Sequence, residues 1–96
     1  MSAEDRLALI ETRLRAQLAV AELEVHDESH LHRGHPGAAA GGGHFAVRVV
    51  SDDFAGHSRL QRQRLVYSAL GEAMAPNRIH ALRFIETLTR AEAGVA

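Results

Sequence analysis

Four of the chain's seven histidines fall within one stretch, DESHLHRGHPGAAAGGGHF, which runs from Asp27 to Phe45 and holds His30, His32, His35 and His44. Imidazole is the commonest protein metal ligand and also carries protons near neutral pH. A histidine cluster in a Gly/Ala-rich segment is therefore either a metal-facing device or a solvated connection. The chain has no cysteine, which removes disulfides, thiol redox chemistry and thiolate metal sites. Any metal must be held by imidazole or carboxylate, and an iron–sulfur cage would need thiols from another molecule. A fifth histidine, His80, stands at the start of the last apolar run, Ile79–Leu88. A second set of chemical residues is basic: Arg59, Arg62 and Arg64 crowd the first turns of a predicted helix, with Arg78 further on. Cations at a helix N-terminus oppose its macrodipole at a cost of about 0.3–1 kcal/mol each. The repetition points to an anionic partner or to a solvated face. Ser29, Ser51 and Ser58 have His and Asp nearby, but none sits in a nucleophile-elbow or triad-like context. No enzymatic activity is expected.

The elements that must position these residues follow from periodicity. Ser2 and Asp5 form a capping-box pair, and Leu7, Ile10, Leu14 and Leu18 then recur at helical spacing, predicting an amphipathic helix over Ala3–Leu18. Leu23 and Val25 alternate with Glu24 and His26, the pattern of a half-buried strand ending at Asp27-Glu28-Ser29. A second strand runs from His44 to Ser51, with Phe45, Val47 and Val49 on one face and Arg48 on the other. Two strands joined without a helix should pair antiparallel, here through a connection much longer than the 2–5 residues of a common hairpin. The turn at Asp52–Gly56 leads to Ser58 as N-cap of a helix over Arg59–Met74, whose inner stripe is Val66, Ala69, Leu70 and Ala73 and in which Gly71 marks a break. Ile79–Leu88 reads as a third strand, central or half covered, and Thr89 with Glu92 caps a short last helix. The order α-β-β-α(α)-β-(α) predicts an α+β fold: a three-stranded mixed sheet with helices packed on one face.

Ninety-six residues suit a single domain over 1–96, with its core over about 7–89 and a flexible His/Gly loop over about 29–43. No apolar run nears the roughly 18 residues of a membrane span, and no signal-peptide pattern opens the chain, so a cytoplasmic protein with no membrane partner is expected. The net charge of −1 is unevenly placed. Residues 1–58 carry five Arg against nine acidic residues, and residues 59–96 carry six against three. This dipole is too modest to identify a DNA-binding protein.

Four blocks in order, DESH at 27–30, GGGHFAVRVVS at 41–51, FAGHSRLQRQRLVYSALGE at 54–72 and RIHAL at 78–82, resemble the BolA family. The resemblance implies a class II KH-like fold. It also implies partnership with a monothiol glutaredoxin carrying a CGFS motif, the two proteins sharing a [2Fe-2S] cluster with glutathione, while the isolated chain binds none and is a monomer or weak homodimer. For some bacterial members the family implies DNA binding and transcriptional regulation instead. By resemblance, His80 is one cluster ligand and a loop histidine the other. Counting back from His44 favours His35, and counting forward from Ser29 favours His32. His44, tied to the strand start, is expected to support the site or the structure rather than to ligate. Arg59, Arg62, Arg64 and Arg78 are the candidate nucleic-acid or partner contacts. Two departures stand out: the family's Arg-His-Arg is Arg62-Gln63-Arg64 here, and no KH-type Gly-x-x-Gly loop separates the helical pieces.

Overall fold

A computed structural model describes residues 2–29, 43–74 and 79–95, with the backbone but not the side chain of His80. The first helix, α1 (Ala3–Gln17), starts where expected: the Ser2 hydroxyl accepts from the Asp5 amide at 3.0 Å, and the Asp5 carboxylate accepts from the Ser2 amide at 3.3 Å. These bonds, the Ser2 backbone one first, hold the Asp5 carboxyl below its ordinary range. Ile10 and Leu14 are fully buried, and the Leu18 amide closes the last turn on the Leu14 carbonyl.

Strand β1 (Val20–Asp27) pairs antiparallel with β2 (Gly43–Ser51), which pairs in parallel with β3 (Ile79–Leu88). The sheet is thus mixed and ordered β1-β2-β3. A parallel pair needs a long crossover, and residues 52–78 supply it. Its described part holds a 3-10 turn (Asp52–Phe54), helix α2 (Arg59–Leu70) and a second 3-10 turn (Gly71–Met74). Ser58 and Gln61 cap α2 reciprocally, at 3.2 and 2.8 Å. At Gly71 the backbone turns to φ +53°, ψ −124°, a conformation open to glycine because it has no Cβ. The expected break in the long helix falls here. A four-residue helix α3 (Arg90–Ala93), capped by Thr89 and Glu92, touches β2 and β3.

The core lies between the sheet and α1 and α2. Phe45, Val47 and Val49 of β2 pack there with Ile10, Leu14, Phe54, Val66, Leu70 and Ile79. Of the two expectations for β3, the central one is corrected: β2 occupies the centre and β3 is an edge strand, half covered by α2 through a perpendicular Tyr67–Phe84 ring contact at 5.4 Å. The opposite face of β2 is more deeply buried than alternation implies, since Ala46 and Val50 are inaccessible beside Arg48. Arg48 bonds Glu22 of β1 at 2.9 Å and Glu86 of β3 at 3.0 Å, and these bonds, Glu22 first, raise its pKa further above the ordinary arginine value. No helix among the described residues is long and apolar enough to cross a membrane.

Candidate functional site

The described residues nearest the expected ligands lie at one end of the sheet, where β1 ends before the histidine stretch and β2 begins after it. The segment Asp27-Glu28-Ser29 anchors the outgoing stem. The Asp27 carboxylate accepts from the Ser29 amide at 2.8 Å, a local turn that short acidic side chains favour. The Ser29 hydroxyl accepts from the His44 amide at 3.0 Å, and the Glu28 amide donates to the His44 carbonyl at 2.7 Å. Both stems are therefore fastened to each other.

The parallel register brings β3 to the same place. Gly43 lies opposite Ile79, while the next residue of β2, His44, lies opposite Ala81. His80 is the extra residue of that irregularity. An extra residue in a strand leaves the ladder locally, and such features are common beside functional sites. Gly43 is needed here for packing, because a Cβ at this position would run into the buried ring of Phe45.

Glu28 and Arg83 complete the arrangement. Glu28 follows directly on the end of β1 and Arg83 lies on β3, and they meet across β2 in a bidentate pair, Nε to Oε1 at 3.0 Å and Nη2 to Oε2 at 2.8 Å. The pair raises the Arg83 pKa above its ordinary value. With His44, Phe45, Ala81 and Leu82 it lines a cleft of about 120 Å³.

The remaining predicted residues separate. His30, His32, His35 and Arg78, and most of the expected flexible loop, lie outside the described residues. His44 is buried, 8% exposed, at the strand start. Arg62 is committed internally: it donates to the carbonyls of His57 and Thr87, both at 2.9 Å, and to Glu92 at 2.6 Å. That bond, with a second from the Thr89 amide, holds the Glu92 carboxyl down to about 2. A helix-start cation that looked like an offer to an anion thus ties α2 to β3 and α3. Arg59 and Arg64 stay exposed on α2.

The donor chemistry limits what can be held. Among the described residues no group of three or more His, Asp or Glu side chains is placed to bind a metal ion, and the chain has no thiol. His80 with one histidine of the 30–35 segment amounts to two imidazoles, short of the four ligands of an iron–sulfur cluster. The set fits a cluster completed by a second molecule's thiolates, as the two-His, two-Cys division of Rieske centres shows to be viable. Sequence inspection missed the Glu28–Arg83 pair. Its only signal was an acidic residue at the end of one strand and an arginine at a polar position of another.

Comparison with known proteins agrees with the fold. Residues 14–92 match the model of the family described as BolA-like protein. The DNA-binding transcriptional regulator BolA of Escherichia coli (strain K12) is 42% identical over 73 residues, covering 76% of this chain and 66% of that protein. SufE-like protein 1, chloroplastic/mitochondrial, of Arabidopsis thaliana is 37% identical over 81 residues, 79% of this chain and 22% of that protein. This chain therefore spans only part of the length of each of these two relatives. The solved BolA domain of SufE1 from Arabidopsis thaliana matches with a TM-score of 0.72 at 34% identity, covering 92% of this chain and 94% of that one.

Proposed function

This chain belongs to the BolA family, and on that premise we propose that it is an adaptor in iron–sulfur cluster trafficking or iron regulation. It pairs with a monothiol glutaredoxin of the CGFS type and shares a [2Fe-2S] cluster with it. His80 and either His35 or His32 are this chain's ligands; the glutaredoxin cysteine and glutathione supply the thiolates. The cluster, when bound, brings the iron and sulfide that are passed on or sensed. This chain's own part is to present imidazole at a fixed place and to leave the remaining positions open to the partner.

The observation that carries the reading is the β2–β3 register. The end of the histidine segment, Gly43-His44, runs beside Ile79–Ala81, so the backbone of His80 lies next to the loop's returning stem. The absence of cysteine agrees with a half-site. Titration of the protein with cluster-loaded CGFS glutaredoxin tests the proposal. A changed visible absorption and circular dichroism is expected, lost in His80→Ala and in one of His35→Ala and His32→Ala. An unchanged spectrum on mixing would refute the shared cluster, and an intact spectrum in His80→Ala would refute the ligand assignment.

DNA binding is the second reading, favoured by the name of the Escherichia coli relative and by exposed Arg59 and Arg64 on α2. Arg62 contributes little to it, being turned to internal acceptors. Binding to a DNA duplex measured across salt concentrations decides it, because phosphate contacts make affinity fall steeply with salt. No salt-dependent binding in the micromolar range would exclude this reading.

A further inference from the structure

We propose that Glu28 and Arg83 form a positioning clamp that fixes the outgoing stem of the histidine segment against the start of β3. The proposal rests on the shared-cluster reading and concerns how this chain holds its own ligands in place. Two expected ligands on separate segments make a defined half-site only if those segments keep a constant separation. His80 lies three residues before Arg83 on β3, and the histidine segment begins directly after Ser29. Ser29 lies two residues past the end of β1 and His80 on β3, and these strands are not neighbours, because β2 lies between them. Backbone hydrogen bonding therefore ties each to β2 but neither to the other. Further along the sheet Arg48 joins them through Glu22 and Glu86; at this end the Glu28–Arg83 pair supplies the link, with two parallel bonds of 3.0 and 2.8 Å.

What lies beneath the pair makes the link feasible. Arg83 pairs by register with Ala46, and the Glu28 amide bonds the His44 carbonyl. The pair thus spans β2 between His44 and Ala46, both of them buried. The carboxylate end is the more enclosed: the Glu28 side chain is 18% exposed and the Arg83 side chain 61%. Fork-on-fork geometry restricts both position and orientation, which a lysine or a single hydrogen bond would not. The Asp27–Ser29 turn and the Ser29–His44 bond carry the restraint on to the residue before His30.

The test uses Arg83→Glu, Glu28→Arg and the double exchange, with two readouts. Amide exchange at Ser29 and His44 in the cluster-free protein reads the clamp whether or not a cluster forms. The half-life and visible circular dichroism of the cluster held with CGFS glutaredoxin read its effect on the site. Each single reversal should speed exchange at both amides by about three- to fivefold, in line with a partly exposed pair, and shorten the cluster half-life by a similar factor. The double exchange should restore both to within about twofold. Glu28→Gln, which keeps the shape and loses the charge, should fall between and guards against a reversal that fails to fold. Unchanged exchange in the single reversals would overturn the clamp, as would exchange that rises while cluster half-life and spectrum stay as in the wild type. Failure of the double exchange to rescue would overturn it too. If the wild-type protein forms no cluster with glutaredoxin, the functional reading falls, and the exchange data alone decide whether the pair holds the stem.

Discussion

Replacing Gly71 by alanine should destabilise the protein through two separable effects. The backbone there has φ +53° and ψ −124°, a region that residues with a Cβ occupy at a cost of about 1–3 kcal/mol. The new Cβ would also stand 2.7 Å from Nη2 and 3.7 Å from Cζ of Arg13. That guanidinium sits over the end of α2, its Nε donating to the Ala69 carbonyl at 3.2 Å, where a cation also complements the helix dipole. Being the far end of a flexible side chain, it can swing aside. The second effect is then the lost hydrogen bond, about 0.5–1.5 kcal/mol. Together these give about 2–4 kcal/mol, a large share of the roughly 5–15 kcal/mol that holds a domain of this kind. At about 4–8 °C per kcal/mol for a chain of this length, the melting temperature should fall by roughly 8–32 °C. Thermal unfolding followed by far-ultraviolet circular dichroism measures it, and Arg13→Ala completes the cycle. In that background Gly71→Ala should cost about 1 kcal/mol less, because only the backbone effect remains. A drop below about 4 °C in the single variant would refute the strain argument. An equal cost in both backgrounds would refute the part assigned to Arg13. The site has a stake in the outcome, because this turn sends the chain toward the strand that carries His80.

Other expectations follow from single contacts. Leu14→Ala removes a fully buried side chain from between α1 and the sheet and should cost about 2–5 kcal/mol in urea unfolding. Ser58→Ala removes the capping hydroxyl of α2 and should cost about 1 kcal/mol in the same assay, with little change in the fold. The Glu92 carboxyl is held at about 2, chiefly by Arg62, below an ordinary value of 4.5. Its stabilisation is therefore fully present above the ordinary value and is lost as pH falls through about 2. The gap in urea midpoint between wild type and Glu92→Gln should be widest near neutral pH, narrow steadily below about 4.5 and close only below about pH 2; a gap that does not narrow in acid would contradict the assignment.

The local features were legible because local rules produce them. Three capping pairs, Ser2–Asp5, Ser58–Gln61 and Thr89–Glu92, start the three helices, and the first and last could be read directly from residues three apart. The stripe of Val66, Ala69, Leu70 and Ala73 is the buried face of α2 and its continuation. Strand alternation identified Phe45, Val47 and Val49 as core. Arg62 was the failure. Its place at a helix start implied an anionic partner or a solvated face, whereas its acceptors come from residues 57, 87 and 92 of this chain.

By itself the sequence determined the elements, their order and their apolar faces, because periodicities of two and of 3.6 residues act within a few positions. It also determined the donor chemistry, imidazole without thiol. Tertiary structure decided which strand is central, where β3 slips by one residue at His80, and that Glu28 meets Arg83 across 55 positions. Those outcomes depend on how separate segments align after the core has formed, and a side chain's nearest partner in space then need not be anywhere near it in the chain.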